Sequence, residues 1–233
     1  MRFDITIPPV DTADSPRTAH VMTEFDLKKE HTGERFAGEL DIDDREWNIG
    51  AIVGGSGTGK STISKNVFKD AYIGKYSYTH SSVIDDMPDG ADIEEIERVF
   101  TSVGFASPPC WLKPYGVLST GEKMRADLAR AVLEHRDIIV FDEFTSVVDR
   151  TTAKTASLAI QKAIRKQGGK FVAVACHKDI LEWLEPDWVY DTDEQRFFGY
   201  RGDSNAPQLE LTYTKLEEAL KNGSGKYLGS ITI

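Results

Sequence analysis

An α/β fold with a mostly parallel core sheet follows from three observations on this 233-residue chain. From residue 47 onward apolar runs alternate with helix-patterned segments, after a set of short alternating stretches. Two of the runs, 138–141 and 171–176, are apolar throughout, as strands buried on both faces of a parallel sheet are. Between a strand at 47–53 and a helical pattern at 61–69 stands Gly54-Gly55-Ser56-Gly57-Thr58-Gly59-Lys60-Ser61-Thr62, a glycine-rich turn from strand to helix.

Taken in order, residues 3–7, 21–27 and 36–42 alternate as strands do, with Pro-, Gly- and charge-rich pieces between them. They predict an antiparallel part over 1–50. After the helix at 61–69, residues 76–84 read as a short strand, and Asp85-Asp86-Met87-Pro88-Asp89-Gly90 breaks the chain. In 91–103 the residues Ile93, Ile96, Val99, Phe100 and Val103 recur at helical spacing and read as core. Pro108, Pro109, Pro114 and Gly116 predict an irregular stretch. A second strong helix at 118–135, entered through Ser119 and Gly121, turns Met124, Leu128, Ala131 and Val132 inward. A helix at 151–167 ends at Gly168-Gly169, and a short one at 181–184 is stopped by Pro186. Residues 188–190, 196–200 and 209–213 predict hairpin strands, and 216–220 a final helix. Trp183, Trp188 and Tyr190 read as packing at the sheet edge. The expected organisation is one unit: 1–50 antiparallel, 51–84 and 136–190 core, 85–135 a short helical subdomain, and 191–233 a C-terminal β/α appendage.

Composition narrows the function classes. Forty per cent apolar and 28% charged residues is ordinary for a protein in water. No segment approaches the run of about 18 to 20 apolar residues that a membrane helix needs. The start alternates like a strand and lacks the apolar stretch of a secretion signal, so a cytoplasmic protein without membrane insertion is expected. Cys110 and Cys176 are too few and too unpatterned for a zinc site or a disulfide framework. A net charge of −10 argues against a broad non-specific grip on nucleic acid, although a locally basic surface would be compatible with it.

The loop 54–62 carries the full pattern G-x-x-x-x-G-K-S in strand-to-helix context and reads as a phosphate-binding loop. Glycines let the chain turn sharply and bring several N–H groups onto one anion. Lys60 would set a cation on the β- and γ-phosphates of a nucleoside triphosphate, and the Ser61 hydroxyl would complete the ligands of a phosphate-bound Mg2+. Downstream, Ile138-Ile139-Val140-Phe141 runs into Asp142 and Glu143. Such a strand ends at the carboxyl edge of a parallel sheet, where ligands of open α/β folds bind. Asp142 would support the metal, and Glu143 would accept a proton from the water attacking the γ-phosphate.

Further motifs resemble a known family. Leu118-Ser119-Thr120-Gly121-Glu122 before a helix resembles the LSGGQ signature of ABC-type ATPases. Ser146-Val147-Val148-Asp149 falls where that family has its D-loop, and His177 where it has its switch histidine. The motifs stand in family order from Gly54 to His177. Two stretches, 147–150 and 176–190, are similar to a group of ABC ATPases of bacteria and phages, some of which are joined to an acetyltransferase-like domain. This chain is too short to carry one, so such a partner is expected to be separate or absent.

The resemblance implies an ATPase that uses ATP and Mg2+ and dimerises head to tail, the signature of one copy capping the γ-phosphate held by the loop of the other. Ser119 and the N–H groups around Gly121 would form the second anion site, Asp149 would align the copies, and His177 would sense the γ-phosphate. Phe25 is the favoured adenine-stacking aromatic, with Phe36 and His31 as alternatives. Thr120 replaces a glycine of the signature and puts a side chain near the partner's phosphate. No glutamine stands between Tyr76 and Pro88, so Asp85 or Asp86 would take the Q-loop position. Hydrolysis would drive a conformational change in an unidentified protein partner. Rival readings are the ATPase subunit of a transporter, an SMC-like DNA-associated ATPase and a small-molecule kinase. The short helical subdomain, the lack of room for coiled-coil arms, and the presence of signature and switch histidine weigh against them in turn.

Overall fold

The computed structural model describes residues 1–9, 15–26, 33–134 and 137–199. Strands β3 (Ile49–Val53), β4 (Tyr72–Ile73), β5 (Ile138–Phe141), β6 (Lys170–Ala175), β7 (Trp188–Asp191) and β8 (Arg196–Phe198) form one sheet in the order β4-β5-β6-β3-β7-β8. All neighbours pair in parallel except β7 and β8, which make the expected hairpin. A separate antiparallel pair joins β1 (Arg2–Ile7) and β2 (Glu34–Glu39), with Arg2 opposite Glu39.

Both faces of the large sheet are covered, which is why its strands read as unbroken apolar runs. Along β5, Ile139 and Phe141 enter one core cluster and Val140 the other; along β6, Phe171 and Ala173 alternate with Val172 and Val174 in the same way. The first cluster packs α3 (Ile93–Ser102), α4 (Pro108–Trp111), α5 (Thr120–Leu133), α6 (Arg150–Gln167) and α7 (Ile180–Leu184). The second holds Phe3, Leu40, Trp47, Trp188 and Tyr190 with α2 (Lys60–Phe68). Trp188 and Tyr190 are buried there, and the Trp188 ring lies against Gly50, where a Cβ would come within 2.1 Å of it.

The structure corrects two strand assignments. Residues 21–27 were expected as a strand, but α1 spans Pro16–Glu24. Ser15 caps it, accepting from the Thr18 N–H, and Pro16 supplies a first helical residue whose φ is already set. Residues 76–84 were also expected as a strand. There the Thr79 and His80 N–H groups donate to the Asp86 carboxylate at 2.9 and 3.1 Å, so these donors do not enter a ladder. The strand in this region is the two-residue β4 further upstream. Pro108 and Pro109 also start a four-residue helix, α4, within the stretch expected to be irregular. The segments 209–213 and 216–220, like His31, lie outside the described residues. Among the described residues no helix is long and apolar enough to cross a membrane.

Candidate functional site

Strand β3 delivers the chain to the site at Val53, in the middle of the sheet. Its carbonyl accepts the Thr192 N–H at 2.8 Å, so the end of β7 stands beside the glycine-rich loop. Gly54 packs directly on Thr192, whose Oγ1 a Cβ would approach to 2.1 Å. Gly55 donates its N–H to Asp193 at 2.8 Å, and this bond, followed by Lys178, holds the Asp193 carboxyl below the usual range. Ser56 and Gly57 face solvent, and Thr58 Oγ1 donates back to the Gly55 carbonyl at 2.9 Å.

Helix α2 starts at Lys60, with Gly59 as its N-cap in the left-handed region at φ 86°. A Cβ on Gly59 would also meet the Phe36 ring at 2.4 Å. No side chain caps α2, and its first turn holds no acidic residue. The first N–H groups and positive end of the helix are therefore left without a side-chain cap, the condition under which a helix start suits a bound anion. Lys60 Nζ donates to the Gly55 carbonyl across the same loop.

Ser61, one residue into α2, donates its hydroxyl to Asp142 Oδ1 at 3.1 Å. Asp142 is carried to this point by β5, and Oδ1 also accepts the Glu143 N–H at 2.9 Å. Tyr72 Oη donates to Asp142 Oδ2; burial first, then this bond, pushes the phenol well above its ordinary value, so it stays a neutral donor. One hydroxyl and one carboxylate are hard oxygen ligands of the kind Mg2+ takes while keeping several waters, so the residues present fit that ion. Among the described residues no group of three or more His, Cys, Asp or Glu could hold a metal by itself.

Beyond Asp142 the backbone turns abruptly. Glu143 has φ 53° and Thr145 φ 63°, and Thr145 is fully buried. A β-branched residue in this region is a true outlier, of the sort found where a turn aims a functional side chain. The turn leaves Glu143 exposed, and Phe144 N donates to the Val174 carbonyl of β6 at 2.9 Å. His177 lies exposed just past the end of β6, and Ser146 Oγ approaches Cys176 Sγ to 3.6 Å. Lys178, next to His177, pairs with Asp191 at 2.6 Å and with Asp193 at 3.1 Å.

The signature stretch is also a capped helix start. Ser119 caps α5 in a reciprocal box with Glu122, whose Oε2 accepts the Ser119 N–H at 2.7 Å. Asp149 caps α6, accepting from the Thr152 N–H at 3.0 Å. The two helix starts meet: a Cβ on Gly121 would lie 2.9 Å from Thr152 Cγ2. Ser119, Gly121 and Asp149 therefore share one surface region, with Thr120 exposed beside them.

No family model matches the chain. In sequence it is 28% identical over 185 residues to the aliphatic sulfonates import ATP-binding protein SsuB 1 of Agrobacterium fabrum, covering 67% of this chain and 65% of that one. It is 25% identical over 225 residues to the energy-dependent translational throttle protein EttA of Mycobacterium tuberculosis, covering 82% of this chain and 39% of that one. A probable metal transport system ATP-binding protein of Chlamydia pneumoniae is 38% identical over 129 residues, 49% of this chain and 46% of that one. The chain thus spans less than two thirds of the length of each of these relatives. Among solved structures, an ATP-binding cassette in a dimeric post-hydrolysis state bound to ADP and Pi matches with a TM-score of 0.58 at 14% identity, over 86% of this chain and all of that one. The cbiO1 cassette of Clostridium perfringens matches at 0.55 and 18% identity, over 85% of this chain and 90% of that one. Its relatives and structural neighbours are ABC-type ATPase cassettes.

On this ABC-type fold the structure adds neighbours that the sequence motifs do not name. Tyr72 reaches Asp142, Asp193 and Thr192 line the phosphate loop, and Phe36 abuts Gly59. Phe25 caps the end of α1 and is 64% exposed. Of the Q-loop candidates, Asp86 is engaged by Thr79 and His80, and Asp85 accepts the Ser82 hydroxyl. Tyrosines at 76, 78 and 115, with an aspartate on the apolar-patterned helix at 127, were the available signal for another cluster. Tyr78 and Tyr115 stack at 3.9 Å and donate to the two oxygens of Asp127 at 2.8 and 2.9 Å, fastening the segment after β4 to α5.

Proposed function

We propose that the chain binds and hydrolyses MgATP, and that its complete site forms between two copies arranged head to tail. The observation that carries this reading is the Ser61–Asp142 pair, 3.1 Å apart beside a helix N-terminus that no side chain caps. Lys60 and the N–H groups from Gly54 to Thr62 hold the phosphates. Ser61 and Asp142 would hold Mg2+, which would supply charge neutralisation at the phosphates. Glu143 orients the attacking water and takes its proton, and His177 contacts the γ-phosphate. Phe25 keeps a ring face open for adenine, whereas Phe36 is occupied by its contact with Gly59. Ser119, Gly121 and Asp149, grouped by the meeting of α5 and α6, serve the nucleotide of the second copy.

Two of the named relatives are ATP-binding proteins of import or transport systems, which favours a second reading as a transporter subunit. Against it, the α-helices between β4 and α5 are only the ten-residue α3 and four-residue α4, a small platform for a membrane partner. We place the protein in the cytoplasm, coupled to a protein partner. Phosphate release from ATP by the purified chain tests the activity. The wild type should require Mg2+, and Lys60→Ala should abolish turnover. Turnover insensitive to both would overturn the assignment.

A further inference from the structure

We propose that Tyr72 is a positioning residue of this site, holding the Asp142 carboxylate so that Oδ1 faces Ser61. The inference rests on the MgATP reading above and adds a residue to it. Strand β4 is only two residues long, yet it is pinned where it matters. Tyr72 pairs with Val140 and Ile73 with Phe141, and the Asp142 N–H donates to the Ile73 carbonyl at 3.2 Å. The pairing sets Tyr72 beside the strand that carries Asp142. Its ring packs with the cluster that includes Phe68 and Val140, and Lys65 Nζ lies 5.0 Å from the ring centroid.

The phenol thus stands on a rigid support and donates to Oδ2, the carboxylate oxygen that Ser61 and the Glu143 N–H do not use. Donors come to Asp142 from α2, from β4 and from its own turn, so the carboxylate plane is set before any ligand arrives. A phenol suits the task because it fixes the group without cancelling its charge, as a lysine or arginine would. Asp85 and Asp86, by contrast, are bonded within their own loop.

Tyr72→Phe keeps the ring and its packing and removes only the hydroxyl. Calorimetric titration of ATP should be run at a series of Mg2+ concentrations and again in EDTA, with melting curves to compare folding. The Mg2+ concentration giving half of the metal-dependent gain in affinity should rise about three- to tenfold in the variant, while affinity in EDTA stays at the wild-type value. Adding Tyr72→Phe to Asp142→Asn should shift the midpoint by less than it does in the wild type, since the group being oriented has changed. An unchanged midpoint, or an equal loss of affinity with and without metal, would show a structural tyrosine and overturn the proposal. If Tyr72→Phe melts far below the wild type, equal shifts in both backgrounds of the cycle overturn it instead. A wild type whose ATP affinity ignores Mg2+ would defeat the MgATP reading itself, a distinct outcome.

Discussion

Ser61 donates to Asp142 across 3.1 Å although the two stand 81 positions apart, one at the start of a helix and the other at the end of a buried strand. Parallel pairing of β3 and β5 with β6 between them puts both ends on the same edge of the sheet. That edge is where open α/β folds place their ligands. Asp142→Asn keeps the shape and loses the charge that would attract the metal. ATP turnover should fall on the order of 100-fold, with a smaller loss in metal-free ATP binding. Steady-state phosphate release set beside calorimetry in EDTA separates the two effects.

The Gly59–Phe36 contact should make the phosphate loop intolerant of a methyl group. Gly59→Ala must hold an alanine at φ 86°, costing about 1 to 2 kcal/mol, and must also displace the Phe36 ring from its 2.4 Å approach. Thermal melts should show a lowered midpoint, partly restored by Phe36→Ala in the same chain. No recovery in the double variant would locate the cost in the backbone alone.

Acid should loosen the signature helix through Glu122. The Cys110 thiol first, then the Ser119 hydroxyl and N–H, hold its carboxyl at about 2 against an ordinary 4.5. A carboxylate with a depressed folded value contributes stability that is complete above its unfolded value and is lost as pH falls toward the folded one. The window therefore runs from 4.5 down to about 2. Urea midpoints measured across it should fall more steeply for the wild type than for Glu122→Gln. Parallel lines would contradict the role given to this carboxyl.

Asp127 is the acceptor for two stacked tyrosines, and removing it strands both phenols. Asp127→Ala should cost about 2 to 3 kcal/mol in denaturant unfolding. Tyr78→Phe or Tyr115→Phe, each removing one donor, should cost less than that. Equal losses in all three would show that packing, not the shared acceptor, holds the segment after β4 on α5.

Strands β3, β5 and β6 and helices α2, α5 and α6 were legible because their periodicity, glycine turns and caps all agreed. Ser61 and Asp142 were legible too, since each sits in a motif that depends on a strand end. Helix α1 was hidden by an alternating run at 21–27, although Ser15-Pro16 just upstream carried a helix-start signal. The tyrosines at 76 and 78 also alternate, but Tyr78 is turned to a helix and not to a neighbouring strand. Asp193 meets Gly55 across 138 positions and Tyr72 meets Asp142 across 70, contacts made by sheet topology and announced by no local pattern. Motif residues such as Ser61 and Asp142 carry a local signal, whereas the residues that touch them across the sheet carry none.

The proposed site is completed by a second copy. Glu143→Gln should keep ATP binding while slowing hydrolysis by about two to four orders of magnitude, so that the closed state accumulates. Sedimentation velocity of this variant with MgATP is the direct measurement. A dimer should form with MgATP and disappear with ADP and in Ser119→Arg. A monomer at high concentration, with normal ATP affinity, would contradict it.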